Sequence, residues 1–158
     1  MRSKLKWIND PKLKRLNDSA RPEDVLKHMA GVVGEAQKTK FIYDVARNVA
    51  PDNFEAIPAA LFHRVSFLPD TGQHQIIQFP HRLYRTGEGN CVDFTVFIAS
   101  CAKALNLPVT MRMVNFGRGF EHVYPVVNGQ IYDLNYWMNF TPGQKKSLPG
   151  VGYLNYTP

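Results

Sequence analysis

Two thiols and five imidazoles are the groups in this chain best suited to nucleophilic and acid–base chemistry, and one of each is placed for it. Cys91 follows Gly87-Glu88-Gly89-Asn90 and opens the apolar run Cys91–Leu105. That run is apolar on nearly every side, the pattern of a helix in the middle of a domain. Asn90 is a good N-cap for it, and Asn106 and Pro108 end it. A thiol in the first turn of a helix lies at the positive end of the dipole, which favours the thiolate. Unpaired backbone N–H groups there can also hold an oxyanion, and the flanking glycines let a substrate approach the sulfur. Cys101, ten residues on in the same run, reads instead as a small buried hydrophobe.

A thiol nucleophile needs a base. Asn128-Gly129 is a strong signal for a two-residue hairpin turn between Phe120–Val127 and Gln130–Tyr136. With that turn Val127 faces Gln130, Tyr124 faces Asp133, and His122 faces Asn135. Opposed and alternate residues share one face of a sheet. His122, Tyr124, Asp133 and Asn135 therefore point the same way, with Asp133 the diagonal neighbour of His122 at about 7–8 Å between backbones. Two side chains close that gap to a hydrogen bond. A carboxylate on one ring nitrogen orients the imidazole and stabilises its charged form, leaving the other nitrogen for Cys91. Pro125 has no N–H for the ladder, so a bulge near it would slip the register and turn Asp133 to the other face. Asn135, directly opposite His122, is the alternative orienter. Of the other histidines, His28 and His63 fall in helical patterns and are expected on the surface. His74 and His81 precede the nucleophile and are candidates to line a cleft.

The elements that must position these groups come in two blocks. Helices are expected from Pro22, with Val25, Met29, Val32 and Val33 at helical spacing; from the N-cap Thr39, burying Phe41, Ile42, Val45 and Val49; and over residues 58–66, around Leu61, Phe62 and Val65. Residues 69–90 read as a loop-rich stretch with a brief extended piece at Ile76 and Ile77. After the Cys91 helix come strands at Val109–Asn115, Phe120–Val127 and Gln130–Tyr136. The tail from Thr141 is expected to wrap the surface. Helices followed by antiparallel strands argue for an α+β fold, with the N-terminal helices and the nucleophile helix packed on a small sheet.

The 158 residues suffice for one catalytic domain, taken as residues 21–158, with residues 1–20 as a basic N-terminal arm. That arm holds six basic residues against two acidic ones, most of the net charge of +6. It suits an anionic surface, such as nucleic acid or cell-wall polymer, or an acidic partner protein. No apolar stretch is long enough for a membrane span, and the N-terminus lacks the apolar core of a secretory signal. Ten helical residues separate the two cysteines by roughly 15 Å, too far for a disulfide. Two free thiols suit a reducing compartment, so cytoplasmic synthesis is expected, with any release by lysis or in a virion. No CxxC pair or HExxH is present, and no metal or cofactor is expected. Gly87 and Gly89 make no phosphate loop, since no Gly-Lys-Ser/Thr follows.

The run Arg85-Thr86-Gly87-Glu88-Gly89-Asn90-Cys91-Val92-Asp93-Phe94-Thr95, then Asn106-Leu107-Pro108-Val109, His122-Val123-Tyr124 and Tyr132-Asp133, resembles the transglutaminase-like superfamily. Phe62-His63-Arg64-Val65-Ser66-Phe67 and Gln75-Ile76-Ile77-Gln78-Phe79-Pro80 are similar to the segment before the nucleophile in short bacterial and phage-encoded members. The resemblance covers roughly residues 60–136. Family members usually carry Gly-Asp-Cys or Gly-Xaa-Cys where this chain has Gly89-Asn90-Cys91, which leaves the thiol in place but removes a nearby negative charge. The resemblance implies a papain-like α+β fold and acyl transfer through a thioester, with Cys91, His122 and Asp133 as the triad. Gln78, Tyr84 and Asn90 are the candidates to contact the oxyanion or substrate.

Fold and triad do not choose among the chemistries such a site supports. A peptidase or amidase acting on a peptide, a protein or a cell-wall peptide is the leading expectation, favoured by the small size. A protein-glutamine crosslinker is the second, and a structural or virion-associated protein without chemistry the third. For the last, the basic arm and Tyr136, Tyr153 and Tyr156 would be docking surfaces.

Overall fold

In the computed structural model, residues 14–16, 21–48, 53–68, 75–117, 119–135 and 149–158 are described. Pro22 at N1 and the acidic pair Glu23 and Asp24 start helix α1 (Pro22–Ala36), which buries Leu26, Met29, Val32, Val33 and Ala36. Val25, expected in that face, is only half-buried. Thr39 caps α2 (Lys40–Arg47) by accepting from the Ile42 amide at 3.3 Å. Ile42 is buried, while Phe41 and Val45 pack half-buried against the core. Helix α3 (Ala56–Arg64) buries Ile57, Pro58 and Leu61. Val49, expected in the buried face of α2, lies outside the described residues.

The segment read from sequence as loop is more ordered than expected. Lys14–Leu16 (β1) pairs antiparallel with Gln75–Ile77 (β3), and Ser66–Phe67 (β2) pairs parallel with Glu88–Gly89 (β4). Between β3 and β4 runs a seven-residue helix, α4 (Pro80–Thr86). Pro80 occupies its first turn and Gly87, at φ +74°, its C-cap. The Pro and Gly that looked like loop punctuation are the start and stop signals of this helix.

Helix α5 (Cys91–Ala104) is the hub. Every residue from Val92 to Ala102 is buried. It lies on a four-stranded sheet of order β7–β6–β5–β8, formed by Val109–Asn115 (β5), Phe120–Val127 (β6), Gln130–Ile131 (β7) and Gly152–Tyr156 (β8). Phe94, Phe97 and Ile98 of α5, Met29, Val32 and Val33 of α1, and Met111, Val123 and Val127 of the sheet belong to one apolar cluster. The Thr95 hydroxyl donates to the Val123 carbonyl at 3.3 Å, tying the helix to β6 through a polar contact.

Two sheet expectations need correction. Part of the tail is a strand: β8 pairs antiparallel with β5, Leu154 opposite Met113. Its short alternation, with Leu154 inward and Tyr153 and Asn155 exposed, gives little periodicity to read. The last expected strand is also shorter, because the ladder ends at Ile131 and the chain is helical at 134–135. The hairpin register is nevertheless the one counted from Asn128-Gly129, with Val127 opposite Gln130 and Val126 opposite Ile131. Pro125 causes no slip. It accepts at its carbonyl from the Tyr132 amide at 3.1 Å. The irregularity lies elsewhere, between Val114 and Asn115, where Glu121 is the extra residue between His122 and Phe120.

The fold is thus mixed, helices plus an antiparallel sheet. Among the described residues no helix is long and apolar enough to cross a membrane.

Candidate active site

Cys91 is the first residue of α5, and its position is fixed by a dense set of hydrogen bonds. The Asn90 side chain accepts from the Val92 amide at 3.0 Å and the Asp93 amide at 3.4 Å. Asp93 answers by accepting from the Asn90 amide at 3.1 Å, which closes a capping box. The buried Asp93 carboxylate also accepts from the Gln78 amide N–H at 2.8 Å and from Gln78 Nε2 at 3.0 Å. Gln78 Nε2 donates again to the Glu88 carbonyl at 2.9 Å. One carboxylate therefore ties together the strand entering the site, the turn before the thiol and the first turn of α5.

Gly89 is required in that turn by space. A Cβ there would stand 2.6 Å from Leu83 Cδ1 and 2.9 Å from Asp93 Oδ2. With the Val92 and Asp93 amides taken by Asn90, the Cys91 amide is the first-turn donor nearest the sulfur.

The other half of the site comes from the sheet. The bulge at Glu121 sits immediately before His122, a common device for re-aiming a side chain. His122 Nε2 and Asp133 Oδ2 are 2.6 Å apart. Asp133 is 2% exposed and the His122 side chain 16%. The Cys91 sulfur is the other group that acts on the ring. Burial opposes charging of this imidazole. The Asp133 carboxylate and the Cys91 sulfur outweigh it, and the pKa of His122 rises to about 10. The ring is flanked by Phe116, stacked at 5.9 Å, and by Tyr124 at 5.9 Å. Asn135 lies two residues beyond Asp133, half-buried, where the chain has turned helical.

The structure brings His122 and Asp133 together, with Cys91 acting on the same ring, and places the remaining candidates elsewhere. Asn90 is buried as the helix cap. Both Nε2 hydrogens of Gln78 are already donated, so its amide braces the turn. Tyr84 lies under the Arg64 guanidinium at 3.7 Å and stacks with Phe97, nearly two helical turns along α5 from Cys91. His81 stacks on Phe41 at 4.3 Å, and burial together with Arg85 lowers its pKa to about 4. His28 and His63 are exposed, and His74 lies outside the described residues. Cys101 is fully buried in α5, and burial pushes its thiol up. Both cysteines are free. Among the described residues no group of three His, Cys, Asp or Glu side chains could hold a metal ion.

Sequence reasoning missed Asp93. Its signal was the spacing Asn90-Cys91-Val92-Asp93, a polar cap with a carboxylate three residues on, which is the capping-box pattern.

These features define a mixed helix-and-sheet protein in which an imidazole is hydrogen-bonded to a buried carboxylate, with a free thiol at the head of the central helix. No family model matches the chain, and no curated protein matches it. One similar solved structure is a protein from Cytophaga hutchinsonii provisionally described as a cysteine protease. It is 16% identical with a TM-score of 0.45, over 65% of this chain. The chain spans 37% of that protein's length. A likeness at that level assigns neither family nor activity.

Proposed function

We propose that the protein is a cysteine-dependent acyl-transfer enzyme, a peptidase or amidase with a transglutaminase-like, papain-like arrangement of Cys91, His122 and Asp133. The observation that carries this reading is the imidazole held between two partners. The buried Asp133 carboxylate lies 2.6 Å from the His122 ring, and the Cys91 sulfur at the head of α5 acts on the same ring. A structural histidine needs no reactive thiol at the head of a helix, whereas a thiol nucleophile needs this base and this orienter.

In this reading His122 takes the proton of Cys91 as the sulfur attacks the acyl carbon. The carbonyl oxygen becomes an oxyanion facing the Cys91 amide and the positive end of α5. As the tetrahedral adduct collapses, His122 gives its proton to the leaving amine, and the C–N bond breaks to leave a thioester. A water molecule then loses a proton to His122 and attacks the thioester. The carboxylic acid departs, and the proton returns to sulfur. Asp133 keeps the ring oriented and favours its cationic form throughout.

The test is clearing of purified cell walls or of a protein substrate in a gel, comparing the native chain with Cys91→Ala and His122→Ala. Loss of clearing in both variants is expected. Equal clearing by Cys91→Ala refutes the reading. Incorporation of a labelled primary amine into a glutamine donor would move the assignment from hydrolysis to crosslinking.

A further inference from the structure

The connection between β5 and β6 carries apolar surface at the edge of the site. Phe116 is 41% exposed, yet its ring stacks on His122 at an interplanar angle of 26°. The turn that presents it is pinned. Asn115 Oδ1 accepts from the Gly117 amide at 2.6 Å and from the Gly119 amide at 3.1 Å. Both glycines have positive φ, +109° and +106°, so the turn needs them in order to close.

The backbone of Asn115 also holds a neighbour. Its carbonyl accepts from the Val151 amide at 2.7 Å, and Val151 is 78% exposed. Gly150, just before it, fits against Val114 and has no room for a side chain. Two exposed apolar residues thus stand on adjoining backbone, and one of them, Phe116, stacks on the imidazole. Each is on a segment fixed by hydrogen bonds, so little ordering is required when a ligand covers them.

We propose that Phe116, with Val151 beside it, forms an apolar subsite next to His122 that takes an apolar or aromatic side chain of the acyl substrate. This rests on the reading of Cys91 as nucleophile. An apolar wall against the base holds the substrate through its side chain, with the attacked carbonyl left to Cys91. Contact between a substrate ring and Phe116 favours the aromatic substrate by about tenfold over one with no side chain.

The experiment compares alkylation of Cys91 by iodoacetamide and by N-benzyl iodoacetamide, each followed by mass spectrometry of the Cys91 peptide. The native chain is expected to react about tenfold faster with the benzyl probe. Phe116→Ala brings the ratio of the two rates close to one, Phe116→Leu leaves it intermediate, and Val151→Ser lowers it in part. A ratio unchanged in Phe116→Ala overturns the subsite. If both rates fall by the same factor, Phe116 positions His122 instead, and the proposal is again overturned. If Cys91 in the native chain reacts no faster than Cys101 with either probe, the nucleophile reading fails and the subsite falls with it.

Discussion

Asp133→Asn separates the charge of the orienting group from its shape. Asp133 is 2% exposed and its oxygen lies 2.6 Å from the His122 ring nitrogen, so the carboxylate acts on the imidazolium with little solvent between them. Charge centres about 4 Å apart at an effective dielectric of about 20 attract by about 4 kcal/mol. The asparagine carbonyl still accepts from the ring and retains about 1 kcal/mol. The net loss is about 3 kcal/mol, within the range for breaking a buried pair. That corresponds to lowering the His122 pKa from about 10 to about 8. Titration of the labelled ring by NMR reads it directly.

Unfolding in urea gives an independent reading. His122 is raised above its free value, so its contribution to stability is fully present below about pH 6.5 and lost as pH rises through about 10. The native chain should exceed the variant by about 3 kcal/mol at pH 7, and the difference should shrink between about pH 8 and about pH 10. A ring that still titrates near 10 in Asp133→Asn refutes this reasoning. So does a stability difference that does not change over that interval.

Other substitutions test the frame around the thiol. Gly89→Ala places a methyl against Leu83 and the Asp93 carboxylate, so it should cost about 1–3 kcal/mol in urea unfolding and slow alkylation of Cys91. Asn90→Ala frees the Val92 and Asp93 amides and should cost about 1 kcal/mol, seen as a fall of a few degrees in Tm. A chromogenic disulfide should titrate one thiol in the folded protein, Cys91, and the second only after denaturation, because Cys101 is fully buried. Two thiols released at equal rates in native buffer would contradict that burial. Asp93→Ala, which leaves the Gln78 and Asn90 amides without their acceptor, should destabilise more than Asn90→Ala in the same unfolding assay.

What could be read from the letters follows from the kind of signal each element carries. Helix α5 was legible because eleven consecutive buried residues leave no polar face to confuse the pattern. Helix α4 was not. At seven residues it is too short for periodicity, and its terminators Pro80 and Gly87 look the same whether they bound a helix or a loop. Strand β8 was missed for a related reason. Its partner is β5, some forty residues earlier in the chain, and nothing local in Gly152–Tyr156 announces a pairing of that separation.

The meeting of His122 with Asp133 is a different case, since the ladder that predicted it stops before Asp133 is reached. The parity count still places the two side chains together. The turn fixes Val127 against Gln130, and the Tyr132 amide bonded to the Pro125 carbonyl carries the same register one residue past the last formal pair. Asp133 then follows with no residue inserted, so its face is set by the hairpin even though its own backbone has left the sheet. The bulge at Glu121 lies on the far side of His122 from the turn, where it can rotate the ring without disturbing the count. Had the extra residue fallen between His122 and Asn128, Asp133 would face away from the imidazole. An insertion of one glycine between Tyr124 and Pro125 should therefore return the His122 ring to a pKa near or below 6.5 while the core of α5 stays folded. Retention of a value near 10 in that variant would show that something other than hairpin register brings the carboxylate to the ring.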